Sequence, residues 1–146
     1  MPSAVTKWAT GSGIVVLLSI ACLFILPSSP ASAEWREIGA EIGPEGFRYY
    51  VDPAALPTEH VVVVTVLHLR DYKAAQVHTP TGHPVRSMMI QADYDCHLVK
   101  ERIHSTTFFD APMATGAIVA TESRAAQWQP ILPHSVSETV WKAACR

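Results

Sequence analysis

The stretch "RSMMIQADYDC" (Arg86–Cys96) alternates without interruption. Successive side chains of a strand point to opposite faces, so Met88, Ile90, Ala92, Tyr94 and Cys96 share one side. Ser87, Met89, Gln91, Asp93 and Asp95 share the other. An apolar stripe that ends in a cysteine needs something packed against it, and the C-terminus supplies it. In "PHSVSETVWKAACR" (Pro133–Arg146) the period changes. Ser135 stands as an N-cap with Glu138 three residues on, a capping-box pattern. Val136, Val140 and Ala144 follow at helical spacing, with Trp141 and Cys145 beside them. The result is an amphipathic helix whose cysteine lies on its apolar stripe, suited to the face that carries Cys96.

The start of the chain decides the chemistry of those cysteines. Polar residues and Lys7 precede "IVVLLSIACLFIL" (Ile14–Leu26), and "PSSPASA" ends in Ala31-Ser32-Ala33. This order of basic, apolar and small-residue regions predicts a secretory signal over residues 1–33, with cleavage after Ala33. The apolar run is shorter than the ~20 residues of a spanning helix. Acylation at Cys22 is a poorer reading, because Ser19-Ile20-Ala21 lacks the usual leucine and the apolar run continues past the cysteine. Cleavage leaves one exported domain, 34–146, with no membrane segment of its own and a periplasmic or secreted location. It retains two cysteines, Cys96 and Cys145. In an oxidising compartment an even pair reads first as a disulfide. A Cys96 nucleophile is poorly served, since His97 alternates to the opposite side of the strand and export favours oxidation of the thiol.

Outward from these elements, "EWREIGAE" (Glu34–Glu41) and "FRYYVDP" (Phe47–Pro53) read as two strands separated by Gly-Pro turn chemistry. "HVVVVTVLHLR" (His60–Arg70) is the strongest strand signal. Val62, Val64 and Val66 lie on one face and Val61, Val63 and Leu67 on the other, so cover on both sides is expected. The second face suits a neighbouring layer or a homodimer contact. Pro80, Gly82 and Pro84 make residues 71–85 an exposed loop on this reading. "VKERIHSTTFFD" (Val99–Asp110) is the next strand, with Ile103, Ser105, Thr107 and Phe109 on one face, and "AIVATES" (Ala117–Ser123) a sixth. Six strands followed by one helix predict an α+β fold, an antiparallel sheet of about six strands with the helix packed on one face.

Composition limits the function. The 11 Lys and Arg of the full chain, less Lys7, leave ten against 13 Asp and Glu, which gives no basic face for nucleic acid. The chain has no nucleophile elbow, zinc-protease motif, phosphate loop or dinucleotide fingerprint, so no catalytic residue and no cofactor is assigned. Asp93, Asp95 and His97 form an i, i+2, i+4 row that offers oxygen and nitrogen ligands to a divalent cation. The plainer reading is a solvated face, with the carboxylates paired to Arg86, Lys100 or Arg102.

"YYVDP" (Tyr49–Pro53), "LRDYK" (Leu69–Lys73), "YDC" with Arg102 downstream, "WQPILPHS" (Trp128–Ser135) and the terminal Cys145 together resemble the surface-adhesin protein E-like family, in order and spacing across Trp35–Cys145. The resemblance implies a sheet of about six antiparallel strands with a helix tied to its concave side through Cys96 and Cys145. It also implies a dimerising outer-membrane lipoprotein that binds host matrix and serum proteins. This chain departs from the lipoprotein pattern at Cys22. The first expectation is therefore a non-enzymatic binding or envelope-accessory domain with a protein partner. A surface adhesin is the alternative, and a periplasmic metal-binding protein or enzyme the third. Mass spectrometry of the exported protein should find Glu34 as the first residue. A lipid on Cys22, or an intact N-terminus, would contradict the export route.

Overall fold

The structure is a computed structural model and describes residues 34–145, apart from 42, 44, 45, 125 and 126. The expected signal segment lies outside the described residues. Seven strands form one antiparallel sheet: β1 (Arg36–Ala40), β2 (Phe47–Val51), β3 (Val63–His78), β4 (His83–Asp95), β5 (Lys100–Phe109), β6 (Ile118–Ser123) and β7 (Gln129–Pro130). β1 to β6 are neighbours in chain order, and β7 joins the outer edge of β5 beyond the end of β6. The helix α1 (Val136–Ala144) closes the chain. The α+β architecture matches the expectation, with the two-residue β7 as an addition.

The core lies between α1 and the face that carries Tyr94. Val51 of β2, Val64 and Val66 of β3, and Ile90, Ala92 and Tyr94 of β4 pack with Ile131, Val140 and Ala144 in one buried cluster. Val66, Ala92, Tyr94 and Val140 are fully enclosed. The helix starts as its capping box predicts: the Glu138 N–H donates to Ser135 Oγ at 3.1 Å. The Glu138 carboxylate in turn accepts from the backbone N–H of His134 at 2.7 Å. Trp141 Nε1 donates to the carbonyl of Asp95 at 3.1 Å, which fixes the helix against the last residue of β4. The Cys96–Cys145 disulfide closes the same corner, with Cα atoms 5.3 Å apart. His68 sits within this face, its Nε2 3.3 Å from the Tyr94 hydroxyl. Burial, reinforced by the charge of Arg70, pulls the His68 pKa down to about 3, so the ring is neutral at ordinary pH.

Three sequence expectations change. Residues 71–85 are mostly strand: β3 and β4 continue as a long hairpin, and only the four residues between His78 and His83 turn. Gly82 adopts φ +69 there, a conformation that favours glycine. Pro84 is tolerated because β4 does not meet β5 until Ser87, so the strand is an edge at that point. The second change is a bulge in β5. Ile103 pairs with Ala92 and Ser105 with Gln91, so His104 is the extra residue. Ile103 then packs on the helix-side core, while Ser105, Thr107 and Phe109 align with Gln91, Met89 and Ser87 on the opposite face.

The third change concerns the far side of the valine strand. Among the described residues, the chain itself covers this face over Leu69 and Asp93 and leaves the start of β3 exposed. The β5–β6 connection folds back, with the Met113 N–H donating to Asp71 Oδ1 at 2.8 Å and the Ala114 N–H to Ser87 Oγ at 2.9 Å. Ser87 Oγ itself donates to the Ala111 carbonyl at 2.6 Å. Leu69 and Ser87 are fully buried on this face. These bonds hold Met113 and Ala114 at positive φ, which non-glycine residues adopt only at a cost. Val61 and Val63, nearer the start of β3, stay exposed.

With 49 residues of separation, the disulfide removes unfolded-chain entropy, about 4 kcal/mol in the loop-closure estimate and often less in practice. Denaturant titrations of the oxidised protein and of a Cys96→Ser/Cys145→Ser variant should differ by roughly 2–4 kcal/mol. Coincident curves would show that the helix is held by packing alone.

Candidate binding surface

The carboxylate row expected on β4 does not form a ligand set. Asp93 points away from α1 and is buried by its neighbours across the sheet. Thr65 Oγ1 of β3 donates to its Oδ1 at 2.7 Å. Arg102 of β5 donates to Oδ2 through Nε at 2.8 Å and also brings Nη2 to 2.7 Å. His104 Nε2 reaches the same oxygen at 3.0 Å. Arg102 pairs directly with Asp93 across the ladder, and His104, the extra residue of the bulge, reaches the same carboxylate. Burial pushes the Asp93 carboxyl up, but hydrogen bonds from Thr65, Arg102 and His104 outweigh it and hold it below its usual value.

Asp95 and His97 belong to a different structure. Strand β4 ends at Asp95, and the next four residues turn toward β5. Asp95 Oδ1 accepts the backbone N–H groups of His97 at 2.9 Å and Leu98 at 2.7 Å, an Asx-type turn. His97 is therefore off the strand face on which Asp93 lies. Among the described residues no group of three His, Cys, Asp or Glu side chains is placed to hold a metal. Cys96 and Cys145 are joined, so neither is a thiol nucleophile. Arg102, one of the three basic partners weighed from the sequence, is the one Asp93 uses. His104 and Thr65 were missed because both depend on strand pairing, the β3 register that sets Thr65 opposite Asp93 and the β5 bulge that adds His104, which residue types do not display.

Arg102 leads outward from this polar knot. Its guanidinium lies 4.6 Å from the ring centroid of Trp128, which packs over it from the segment before β7. Beyond Trp128, three segments meet at the end of the sheet. The Cys96 N–H donates to the Val62 carbonyl at 2.9 Å, and the Ile131 N–H to the Val99 carbonyl at 3.1 Å. These bonds bring together backbone segments that carry exposed apolar side chains: Val62 is 69% exposed, Leu98 58% and Leu132 68%, and Val99 is exposed as well. Val99 is at φ +53, strained for a β-branched residue, a conformation held by the Asp95 turn bonds and the Ile131 bond to its carbonyl. A cavity of about 200 Å³ opens between Pro57, His60, Val62, His97 and Cys145 beside these segments.

A family model described as surface-adhesin protein E matches residues 35–146. The chain belongs to the surface-adhesin protein E family. Solved structures with the same fold include Haemophilus influenzae protein E in crystal form II, at 15% identity and TM-score 0.54, covering 66% of this chain and 79% of that one. Protein E from non-typeable Haemophilus influenzae aligns at 14% identity and TM-score 0.55, covering 82% of this chain and 79% of that one. No curated protein sequence matches. At such identities the likeness establishes the fold. The arrangement expected from the resemblance, a helix tied through Cys96 and Cys145 to a sheet of about six antiparallel strands, is found in this family member, with β7 as a seventh strand.

Asp93→Asn removes the charge that Arg102 and His104 share. Because Arg102 and His104 are each about one-third exposed, solvent softens the loss to roughly 1–3 kcal/mol in a urea titration. The sign of the pH effect follows from the lowered Asp93 pKa. Its contribution is present above the unfolded carboxylate value and is lost as pH falls through the lower folded one. The variant should therefore show a flatter acid limb than the wild type, whereas parallel limbs would show that Asp93 carries no linkage.

Proposed function

We propose that this family member is an exported, non-enzymatic domain that binds a protein partner through the apolar rim at the disulfide end of the sheet. One observation carries the reading: Val62, Leu98 and Leu132 expose most of their surface from backbone segments that are hydrogen-bonded to one another. Exposed apolar surface gathered in one place, edged by an aromatic ring and an arginine, has the composition of an interface centre. The rim is also pre-ordered by the disulfide, the Asp95 turn and the Trp141 bond, so little conformational entropy is lost on association.

Family membership favours a surface adhesin as the role of such a domain, with a host matrix or serum protein as partner. Export rests on the signal read in residues 1–33, and among the described residues no helix is long and apolar enough to cross a membrane. A periplasmic accessory role uses the same rim on a partner of the producing cell. Antibody staining of washed intact cells separates the two, since only the adhesin gives a surface signal.

The rim is testable without disturbing the core. Val62→Asp and Leu98→Asp replace exposed side chains and should leave the melting temperature nearly unchanged. Binding of the purified exported protein to immobilised extracellular-matrix proteins, serum proteins or a cell-envelope fraction should weaken at least tenfold, about 1.4 kcal/mol. Full binding by both folded variants would remove the rim from the interaction.

A further inference from the structure

The helix covers only part of the face it packs on. At 1.5 Å per residue the nine residues of α1 span about 13 Å, whereas the 13 residues of β4 extend about 44 Å. Past Ile90 the same face of the long hairpin carries Met88 and Arg86 on β4 and Arg70 on β3. Arg70 pairs with Met88 across the ladder, and Arg86 lies two residues along from Met88 on that face. The two arginines are thus diagonal neighbours, about 7–8 Å apart by sheet geometry.

Both are half-buried, and the Nε of each is buried with no hydrogen-bond partner. No ion pair engages either one among the described residues, while Glu122 is taken up by His78 and Arg124. Arg70 rests over the Phe47 ring at 4.5 Å, an aromatic support that leaves its donors unused. A guanidinium nitrogen withdrawn from water without an acceptor is costly, and a pair of like charges on one face adds to that cost. The field of Arg70 is felt nearby: it lowers the pKa of buried His68 and opposes the upward push that burial gives Tyr49 and Tyr94. Glu41 and Glu101 act on those two tyrosines, but neither neutralises Arg70 through a contact.

The floor between the charges is apolar. Tyr72 donates its hydroxyl to Met88 Sδ at 3.5 Å and stacks edge-on with Phe47 at 5.6 Å. An adjoining cavity of about 250 Å³, between Tyr72, His78, Val85, Phe108 and the His78-paired Glu122, offers room for an uncharged apolar side chain but not for a second carboxylate. We infer that this open end of the helix-side face is a cradle for an extended acidic peptide segment. The Arg70 and Arg86 forks receive a carboxylate, and the adjoining cavity takes a neighbouring apolar side chain. The planar guanidinium fork matches a carboxylate, and the apolar floor suits an acidic side chain flanked by apolar residues better than a heavily hydrated sulfate. The cradle is separate from the apolar rim, so loss of rim binding leaves it intact.

Fluorescence anisotropy on the oxidised exported protein tests this with a labelled Glu/Leu peptide, its Gln/Leu counterpart and a sulfated oligosaccharide. The Glu/Leu peptide should bind at least tenfold more tightly than the Gln/Leu peptide, and Arg70→Gln or Arg86→Gln should weaken it roughly 10–100-fold. Melting curves identify which variants remain folded. In the unsubstituted protein the same peptide should shield Arg70 and Arg86 from phenylglyoxal, a readout that no folding defect can mimic. Equal affinity for the Glu and Gln peptides, full affinity in folded variants, unshielded arginines, or preference for the oligosaccharide would each overturn the assignment.

Discussion

The covalent tie between the end of β4 and the end of α1 is the constraint on which the rest of the architecture depends. A nine-residue helix is too short to persist alone in water. Here it buries Val140 and Ala144 against the sheet, and Cys145 secures the last turn where fraying would begin. The same corner receives the Trp141 bond to the Asp95 carbonyl, while the Asp95 side chain organises the turn that follows Cys96. Three interactions of different kinds therefore converge within two residues of one strand end. The sheet gains a lid where Val51, Val66 and Tyr94 need one, and the chain gains an ordered rim beside it.

A sheet with one small helix leaves most of its surface to be handled in other ways. The far face is closed by the β5–β6 connection over Leu69 and by the Asp93 ion pairs in the middle, two local solutions with different physics. One trades backbone strain at Met113 and Ala114 for hydrogen bonds to Asp71 and Ser87. The other withdraws a carboxylate from water and repays it with three donors. Neither reaches the start of β3, where Val61 and Val63 remain exposed. Nor does the helix reach Arg70 and Arg86. The uncovered places lie at two ends of the sheet, and they differ in character: one apolar, the other cationic over an aromatic floor.

Alternation and capping made the core legible. Met88, Ile90, Ala92, Tyr94 and Cys96 were one face by period alone, and the Ser135–Glu138 box placed the helix start within the residues found. What escaped the sequence was local irregularity. The bulge at His104 reverses the face of every later residue in β5 relative to Ile103, which is why Ile103 and Thr107 separate. Proline and glycine in residues 80–84 suggested a loop. Their cost depends on which strand edge is already paired, a property of the fold rather than of the residues. The Asp93, Asp95 and His97 row, weighed as a ligand set against a solvated face, breaks up for a related reason, because counting by twos assumes a strand that Asp95 itself terminates.

The buried pair His68 and Tyr94 links these themes. A histidine inside the core, held neutral by burial and by the charge of Arg70, gives the hydrophobic face a buried polar contact with the Tyr94 hydroxyl. Apolar residues at both positions would pack as well and remove a desolvation cost. Keeping the pair makes the position of Arg70 matter to the core: the arginine's field stabilises the neutral ring on one side and faces open solvent on the other. A carboxylate seated on Arg70 would reduce that field at His68. Occupancy of the open end of the helix-side face and the acid tolerance of the core are then coupled through one side chain, and linkage requires the coupling to act equally in both directions.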